Sequence, residues 1–390
     1  MSRASDQLLE VLRAVLPAPG VKALHEPEFA GNEWAYVKEC IDTGWVSSVG
    51  KFVDQFEARL AAYTGARHAV AVVNGTAALQ IALTLAGVKP GEEVLVPTLT
   101  FVATANAVAH CGAVPHFIDS AEGTLGVDAA ALGSYLHHTA ERSGGYWRNR
   151  RTGRRLAALL PVHILGHPVD MPALLELAAN YDLPVVEDAA ESLGSTLQGR
   201  HTGTFGRIGT LSFNGNKIVT TGGGGAVLTD DVPLARRAKH LTTTAKRPHA
   251  WEFFHDEVGF NYRMPNLNAA LGCAQLERLP DMLARKRSLA TAYRERLAGA
   301  DGIAFIDEPP GSRSNFWLSA VRLGTDASER DSILEAVNAA GFQCRPVWRL
   351  LHELPMYDEC PRAPLPVAKQ LQACVIKLPS SAKLAPMGVS

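Results

Sequence analysis

The chain has 390 residues, 47% hydrophobic and 20% charged, with a formal net charge of -1. That length allows two domains of unequal size, and the balance is that of an ordinary globular protein. The near-zero charge gives no field for nucleic acid, and no apolar run is long enough to span a membrane.

The N-terminal stretch lacks the long apolar core and small-residue cleavage site of a secretory signal. Six scattered cysteines without a C-x-x-C pair point to reduced thiols in a cytoplasmic protein, with neither a disulfide frame nor a zinc site. Residues 1–20 read as a short helix ended by Pro17 and Pro19, and residues 32–43 as a second helix closed by Gly44. The loop 44–50 carries Trp45 and Ser47 between two glycines, as a plain turn or a ligand loop. Residues 51–64 form an amphipathic helix, and 69–73 a short buried strand. Asn74-Gly75-Thr76-Ala77 then leads into an apolar helix. Strand, small residues, helix is the order that aims free backbone N–H groups and a helix dipole at a phosphate.

A strand at 93–97 and another at 114–118 bracket a helix that ends at His110. Phe101 lies just past the first of these strands, where open α/β sheets bind ligands, although core packing would use it equally well. Residues 137–155 contain six arginines around Gly-Gly and Thr-Gly turns and read as a protruding hairpin. They either face solvent or clamp an anionic substrate. A strand over 156–162 ends in His163 and His167, but Gly166 and Pro168 break the helix that a metal pair would need. The next strand, over 183–186, ends in Asp188, which either faces the ligand crevice or caps a helix.

The stretch 210–225, TLSFNGNKIVTTGGGG, presents Lys217 between two strands, followed by four glycines. Desolvation disfavours an ammonium and frees an amine as nucleophile, and glycines let the backbone approach a planar group. Either this lysine bonds an aldehyde cofactor, or it is a loop lysine before a flexible turn. Pyridoxal phosphate needs a lysine, a carboxylate for its ring nitrogen, a phosphate cup and a flat cover. The chain offers all four in order.

At this point the sequence resembles the DegT/DnrJ/StrS family of sugar aminotransferases, from about Asn32 to the end. The motifs that carry the resemblance are N-G-T-A-A-L at 74–79, E-D-A-A-E-S at 187–192, S-F-N-G-N-K at 212–217 and N-Y-R-M at 261–264. It implies a fold-type I α/β large domain over 1–263, with a mixed, mostly parallel sheet flanked by helices, and a smaller C-terminal α+β domain over 264–390. It also implies pyridoxal 5'-phosphate as cofactor. Lys217 would be the Schiff-base lysine, Asp188 the partner of the ring nitrogen, and Phe101 the ring cover. Gly75, Thr76, Ala77 and Ser212 would hold the phosphate. Asn261 would reach the cofactor of a neighbouring subunit in a homodimer with shared active sites. Glu191 stands where the family often has Gln or His, with a contact to the cofactor or the amino donor. Trp45, Ser47, His352, Arg150 and Arg151 are the candidate substrate contacts. The reaction implied moves an amino group from glutamate to a nucleotide-linked ketosugar. The insertion at 137–155 resembles the branch acting on UDP-linked 4-keto-6-deoxy-N-acetylhexosamines, as in legionaminic-type sugar synthesis. Two rivals stay open: another pyridoxal-phosphate enzyme, or a non-catalytic regulator on the same fold. Retention of Lys217, Asp188 and the phosphate loop together argues against the second.

From about residue 264, two helices over 265–279 and 284–298 precede a strand over 316–323, a helix over 328–340 and a strand near 343–347.

Overall fold

The computed structural model describes residues 3–17, 20–324 and 329–385. Its central sheet has two halves. The four-stranded half runs His68–Val72, Gly225–Thr229, Ile208–Ser212, Val186–Asp188, and the three-stranded half runs Leu156–Leu159, Glu93–Pro97, Val114–Ile118. Parallel bridges between Leu159 and Val185 and between Val162 and Asp188 join them. Only Gly225–Thr229 runs antiparallel to its neighbours in the joined sheet.

These strands are near-continuous apolar runs because both faces are covered. The alternation of side chains sorts them between layers. Val70, Val72, Val94 and Val96 pack with the helices Gly75–Leu85, Ala103–His110 and Val232–Thr242. Ala69, Ala71, Leu211 and Leu228 face the other way, against Lys51–Thr64 and Asn266–Leu297. Leu95, Leu156 and Leu159 pack on that same side against Ala129–Thr139 and Met171–Asn180.

A second sheet, all antiparallel, is ordered Ile303–Phe305, Ala320–Leu323, Val375–Lys377, Arg345–Pro346. The helices Arg330–Ala339 and Pro366–Cys374 share its core. The N-terminal helix Arg3–Val15 joins this core too. Its stripe of Leu8, Leu9, Leu12 and Val15 packs in one cluster with Tyr293, Val321 and Ile376.

The two helices expected on either side of Pro280 are one, Asn266–Leu297, with the proline inside it. An interior proline costs about 3 kcal/mol and removes one backbone hydrogen bond. Pro280 itself is exposed. The halves that flank it are buried in different cores, Cys273 and Leu279 in one and Leu289, Tyr293 and Leu297 in the other. Packing at both ends outweighs the local penalty.

The arginine-rich segment is a hairpin, Ala140–Ser143 with Tyr146–Asn149. Among the described residues no helix is long and apolar enough to cross a membrane, and all six cysteines are free thiols.

Candidate active site

A cavity of about 400 Å³ lies at the C-terminal ends of the parallel strands, where the large sheet meets residues from the second sheet and its connections. Asp188 enters it as the last residue of its strand. Its backbone is pinned on both sides: the amide donates to Pro161 O, and the carbonyl accepts from His163 N. One carboxylate oxygen accepts from Thr104 Oγ1 at 2.8 Å, the other from Ala190 N at 3.1 Å. Burial pushes this carboxyl above its ordinary range, against those two hydrogen bonds and the nearby Lys217.

Ser212, at the end of the neighbouring strand, packs against the first turn of the helix Gly75–Leu85. A Cβ on Gly75 would stand 2.9 Å from that of Ser212, so only glycine lets the helix start so close to the strand. Gly225 works on the opposite side of the same turn, where a Cβ would come within 2.5 Å of the Asn74 backbone. The glycine run therefore accommodates the chain's own backbone rather than a ligand, and none of residues 222–225 lines the cavity. Asn74 caps the helix by accepting from Ala77 N at 2.8 Å. This commits the amide of Ala77, which was expected on the phosphate. The amides of Gly75 and Thr76 precede any intrahelical partner and stay open toward the cavity.

Lys217 follows a tight turn in which its own amide donates to Asn214 O. Its Nζ stands 3.6 Å from Glu191 Oε1 and 3.9 Å above the Trp317 ring. Carboxylate and indole face both attract a cation. Trp317 is held under the lysine by its own Nε1–H, which donates to Asn216 O at 2.8 Å. Glu191 is tethered by Leu165 N at 2.8 Å, and burial raises its carboxyl while Lys217 opposes the shift.

The structure thus brings Gly75, Thr76, Phe101, Asp188, Glu191, Ser212 and Lys217 to one cavity. It does not bring the remaining candidates there. His352 bonds through Nδ1 to Thr98 Oγ1 at 2.8 Å, behind the wall. Trp45 and Ser47 are exposed, and their carbonyls accept from Asn266 at the start of the long helix. Asn261 is exposed beside Thr243. Arg150 and Arg151 lie at the other end of the sheet. Their hairpin is anchored on Glu93, the first residue of a strand whose far end leads to Phe101. Five residues of strand, roughly 16 Å, separate the two ends. Arg150 is taken up by Ala140 O and Glu141, and the Arg151 amide by Asn149. His163, half of the histidine pair, is engaged by Glu187 and Val169 N.

Sequence reasoning did not find His25, Thr104, Trp317 and Lys377 on the cavity wall, while Trp348, in the segment that by resemblance approaches the sugar site, does line it. Both ring nitrogens of His25 are buried without a hydrogen-bond partner. Burial, then Lys286 and Lys217, hold this ring neutral by pulling its pKa well down. Of that segment, Trp348 turns toward the cavity and His352, four residues on, turns away to Thr98.

Taken together, a helix N-terminus with open amides, a deep carboxylate, an exposed aromatic ring and a lysine meet the four needs of pyridoxal phosphate, and the orphaned His25 nitrogens leave polar capacity for a further occupant.

Comparison with known proteins agrees. The model of the DegT/DnrJ/EryC1/StrS aminotransferase family matches residues 27–389. A GDP-perosamine synthase of Caulobacter vibrioides is 39% identical, over 92% of this chain and 92% of its own. A UDP-N-acetyl-3-dehydro-alpha-D-glucosamine 3-aminotransferase of Acidithiobacillus ferrooxidans is 31% identical, over 86% of this chain and 88% of its own. The crystal structure of the aminotransferase TlmJ from Streptoalloteichus hindustanus superposes with a TM-score of 0.84 at 31% identity, covering 94% of this chain and 95% of that one. The chain belongs to the DegT/DnrJ/EryC1/StrS aminotransferase family and is a sugar aminotransferase dependent on pyridoxal 5'-phosphate.

Proposed function

We propose that the chain moves an amino group from glutamate to the 4-keto carbon of a nucleotide-linked 6-deoxysugar, with a UDP-linked N-acetylhexosamine as the acceptor. The observation that supports this reaction is the convergence of Lys217, Asp188 and the open amides of Gly75 and Thr76 on one cavity. The bound cofactor supplies an electron sink for the pair released when a proton leaves the donor's α-carbon. Lys217 is the amine that takes the cofactor aldehyde. Its Nζ, released when the donor binds, would take the proton from the donor's α-carbon and in the second half return one to the sugar carbon that gains the amine. Asp188 holds a proton on the ring nitrogen, and the dry strand end around it keeps that pair strong. Gly75, Thr76 and Ser212 hold the phosphate, and Phe101 gives the ring its flat cover. Glu191 keeps the freed amine of Lys217 near the reacting carbon. Trp317 and Trp348 line the cavity and face the ammonium groups of Lys217 and Lys377.

The UDP assignment rests on the likeness of the 137–155 insertion to the branch that uses such sugars. The relatives above act on GDP- and UDP-linked sugars by name. Incubation with glutamate and a panel of UDP-, GDP- and TDP-linked 3-keto and 4-keto sugars, followed by mass spectrometry, tests it. Amination of the UDP-linked 4-keto sugar is expected, and turnover of a GDP-linked sugar alone would reassign the nucleotide.

The same reading makes the enzyme a cytoplasmic homodimer with shared active sites. In support, Asn261 is exposed, and so are Trp45, Trp251, Phe253 and Val258, the last three at 84%, 78% and 88%. Apolar exposure on this scale marks an interface. Mixing Lys217→Ala with Asn261→Ala subunits should restore part of the activity once subunits exchange. A fully active monomer in light scattering would contradict it.

A further inference from the structure

We infer that Lys377 is the cation that receives a carboxylate of the amino donor, a positioning role separate from the nucleophile Lys217. The inference rests on the transamination proposed above.

Lys377 ends the strand Val375–Lys377, inside the small-domain sheet, where its backbone pairs with Ala320 and Arg345. The residue is only 6% exposed, yet it lines the cavity. Among the described residues its Nζ makes no hydrogen bond or ion pair, and its one described contact is the Trp348 ring at 4.4 Å. A buried ammonium with no anion is costly. Burial accordingly pulls Lys377 down to about 8, with Glu191 opposing and Lys217 and Arg345 adding to the fall. The neighbouring buried lysine, Lys286, does not share this isolation. It donates to the carbonyls of Trp317 and Ser380. Lys377 is thus the lysine left with unused donors and an open path to the cavity.

The cavity offers anions two places. Gly75, Thr76 and Ser212 on the large-domain wall suit the cofactor phosphate, and Lys377 stands on the small-domain wall. No arginine lines the cavity among the described residues. Lys217 must spend its amine on chemistry, and His25 is held neutral. An amino acid reacting beside Lys217 carries its α-carboxylate one bond from the reacting carbon, so that charge must be met inside the cavity. The diphosphate of a ketosugar lies across the sugar ring from the keto carbon and extends toward the opening. The donor's carboxylate is therefore the anion that Lys377 fits. When the neutral sugar takes the donor's place, the ammonium retains the Trp348 face as a resting contact.

The test compares Lys377→Gln and Lys377→Arg with the wild type. Binding of glutarate, a dicarboxylate without an amine, is read by calorimetry on the cofactor-loaded protein. It should weaken about tenfold or more in Lys377→Gln, the loss of one hydrogen bond to a charged group, and stay within about threefold in Lys377→Arg. The KM for glutamate should rise in parallel, while the KM for the nucleotide sugar and the absorbance of bound cofactor stay unchanged. Equal glutarate affinity in wild type and Lys377→Gln overturns the inference, as does a change confined to the sugar KM. Should Lys377→Gln not fold, Lys377→Met keeps the apolar stem on Trp348 and gives the same reading. Weaker glutarate binding in a variant of a wild type that transfers no amino group would sink the proposed reaction while leaving the carboxylate site standing.

Discussion

Glu93 and Asp188 are both buried carboxylates at the ends of parallel strands in one sheet, and their surroundings push them in opposite directions. Glu93 stands at a strand's beginning and receives hydrogen bonds from Asn149 Nδ2 and Thr152 Oγ1, with His116 Nδ1 at 2.8 Å. Burial raises its pKa, but those bonds and the His116 charge bring it to a net value below the ordinary range. Asp188 stands at a strand's end with two donors, and burial prevails. One end of the sheet spends its polar capacity on holding a hairpin. The other leaves a carboxylate with two donors on the cavity wall. The same contrast occurs within a single strand. Glu187, one residue before Asp188 and on the opposite face, is saturated by His163 and by the amides of Gly203 and Gly206.

The contrast can be broken at several points. The largest effect is expected for Lys217→Ala, which should reduce turnover by about 10⁴-fold or more and abolish the visible absorbance of the bound cofactor. Measurable turnover near the wild-type rate would show that another amine does the work. Next, Asp188→Asn should lower kcat by about 10²–10³-fold at saturating cofactor, the usual cost of one preorganised electrostatic partner.

Stability should move the other way for that variant. A carboxyl whose folded pKa is raised disfavours the fold above that pKa and not below its unfolded value. Asp188→Asn should therefore raise the thermal midpoint of the cofactor-free chain near neutral pH, with the gain fading in acid. Glu93→Gln should do the reverse. It disrupts a satisfied buried acceptor, costing about 1–3 kcal/mol, with kcat unchanged in the folded fraction. Because the folded pKa of Glu93 is depressed, its contribution is present above the unfolded carboxylate value and is lost as pH falls through the folded one. Stability shifts of the same sign in both variants, from melting curves at pH 7, would dissolve the distinction between the two ends. The smallest effect is expected for Arg150→Ala with Arg151→Ala. At the hairpin end, both KM values should stay within about twofold, the range of ordinary surface changes. A selective rise in the sugar KM would bring the hairpin back to the substrate.

Residues close in sequence to a strand end or a helix start were legible before folding. Lys217, Asp188, Phe101, Gly75 and Thr76 each sit where a short local pattern aims a side chain or an amide. Trp317, Lys377 and His25 come from segments that reach the cavity only through long-range packing, and no period or spacing announces them. Ala77 shows a finer limit, since the helix begins at Gly75, before the apolar run, and its capping residue takes the third amide. Pro280 shows the opposite error. A strong local signal for a helix end was overridden by burial of both flanks in two different cores.

The clasp between the first helix and the last sheet has a consequence for how the chain is made. Leu8 and Leu12 share a core with Ile333, Val337, Leu371 and Ile376. Their partners emerge from the ribosome more than 300 residues later, an interval of about 15–60 s at roughly 5–20 residues per second. Through that time the apolar stripe of Arg3–Val15 lacks these four partners, while the large sheet is already complete at Thr229. The nascent chain thus carries a completed large sheet together with a partly uncovered amphipathic helix, a substrate for holding chaperones. A chain interrupted before Val375–Lys377 would keep the large-sheet wall of the cavity and lose the strand that carries Ile376 into the core of that helix.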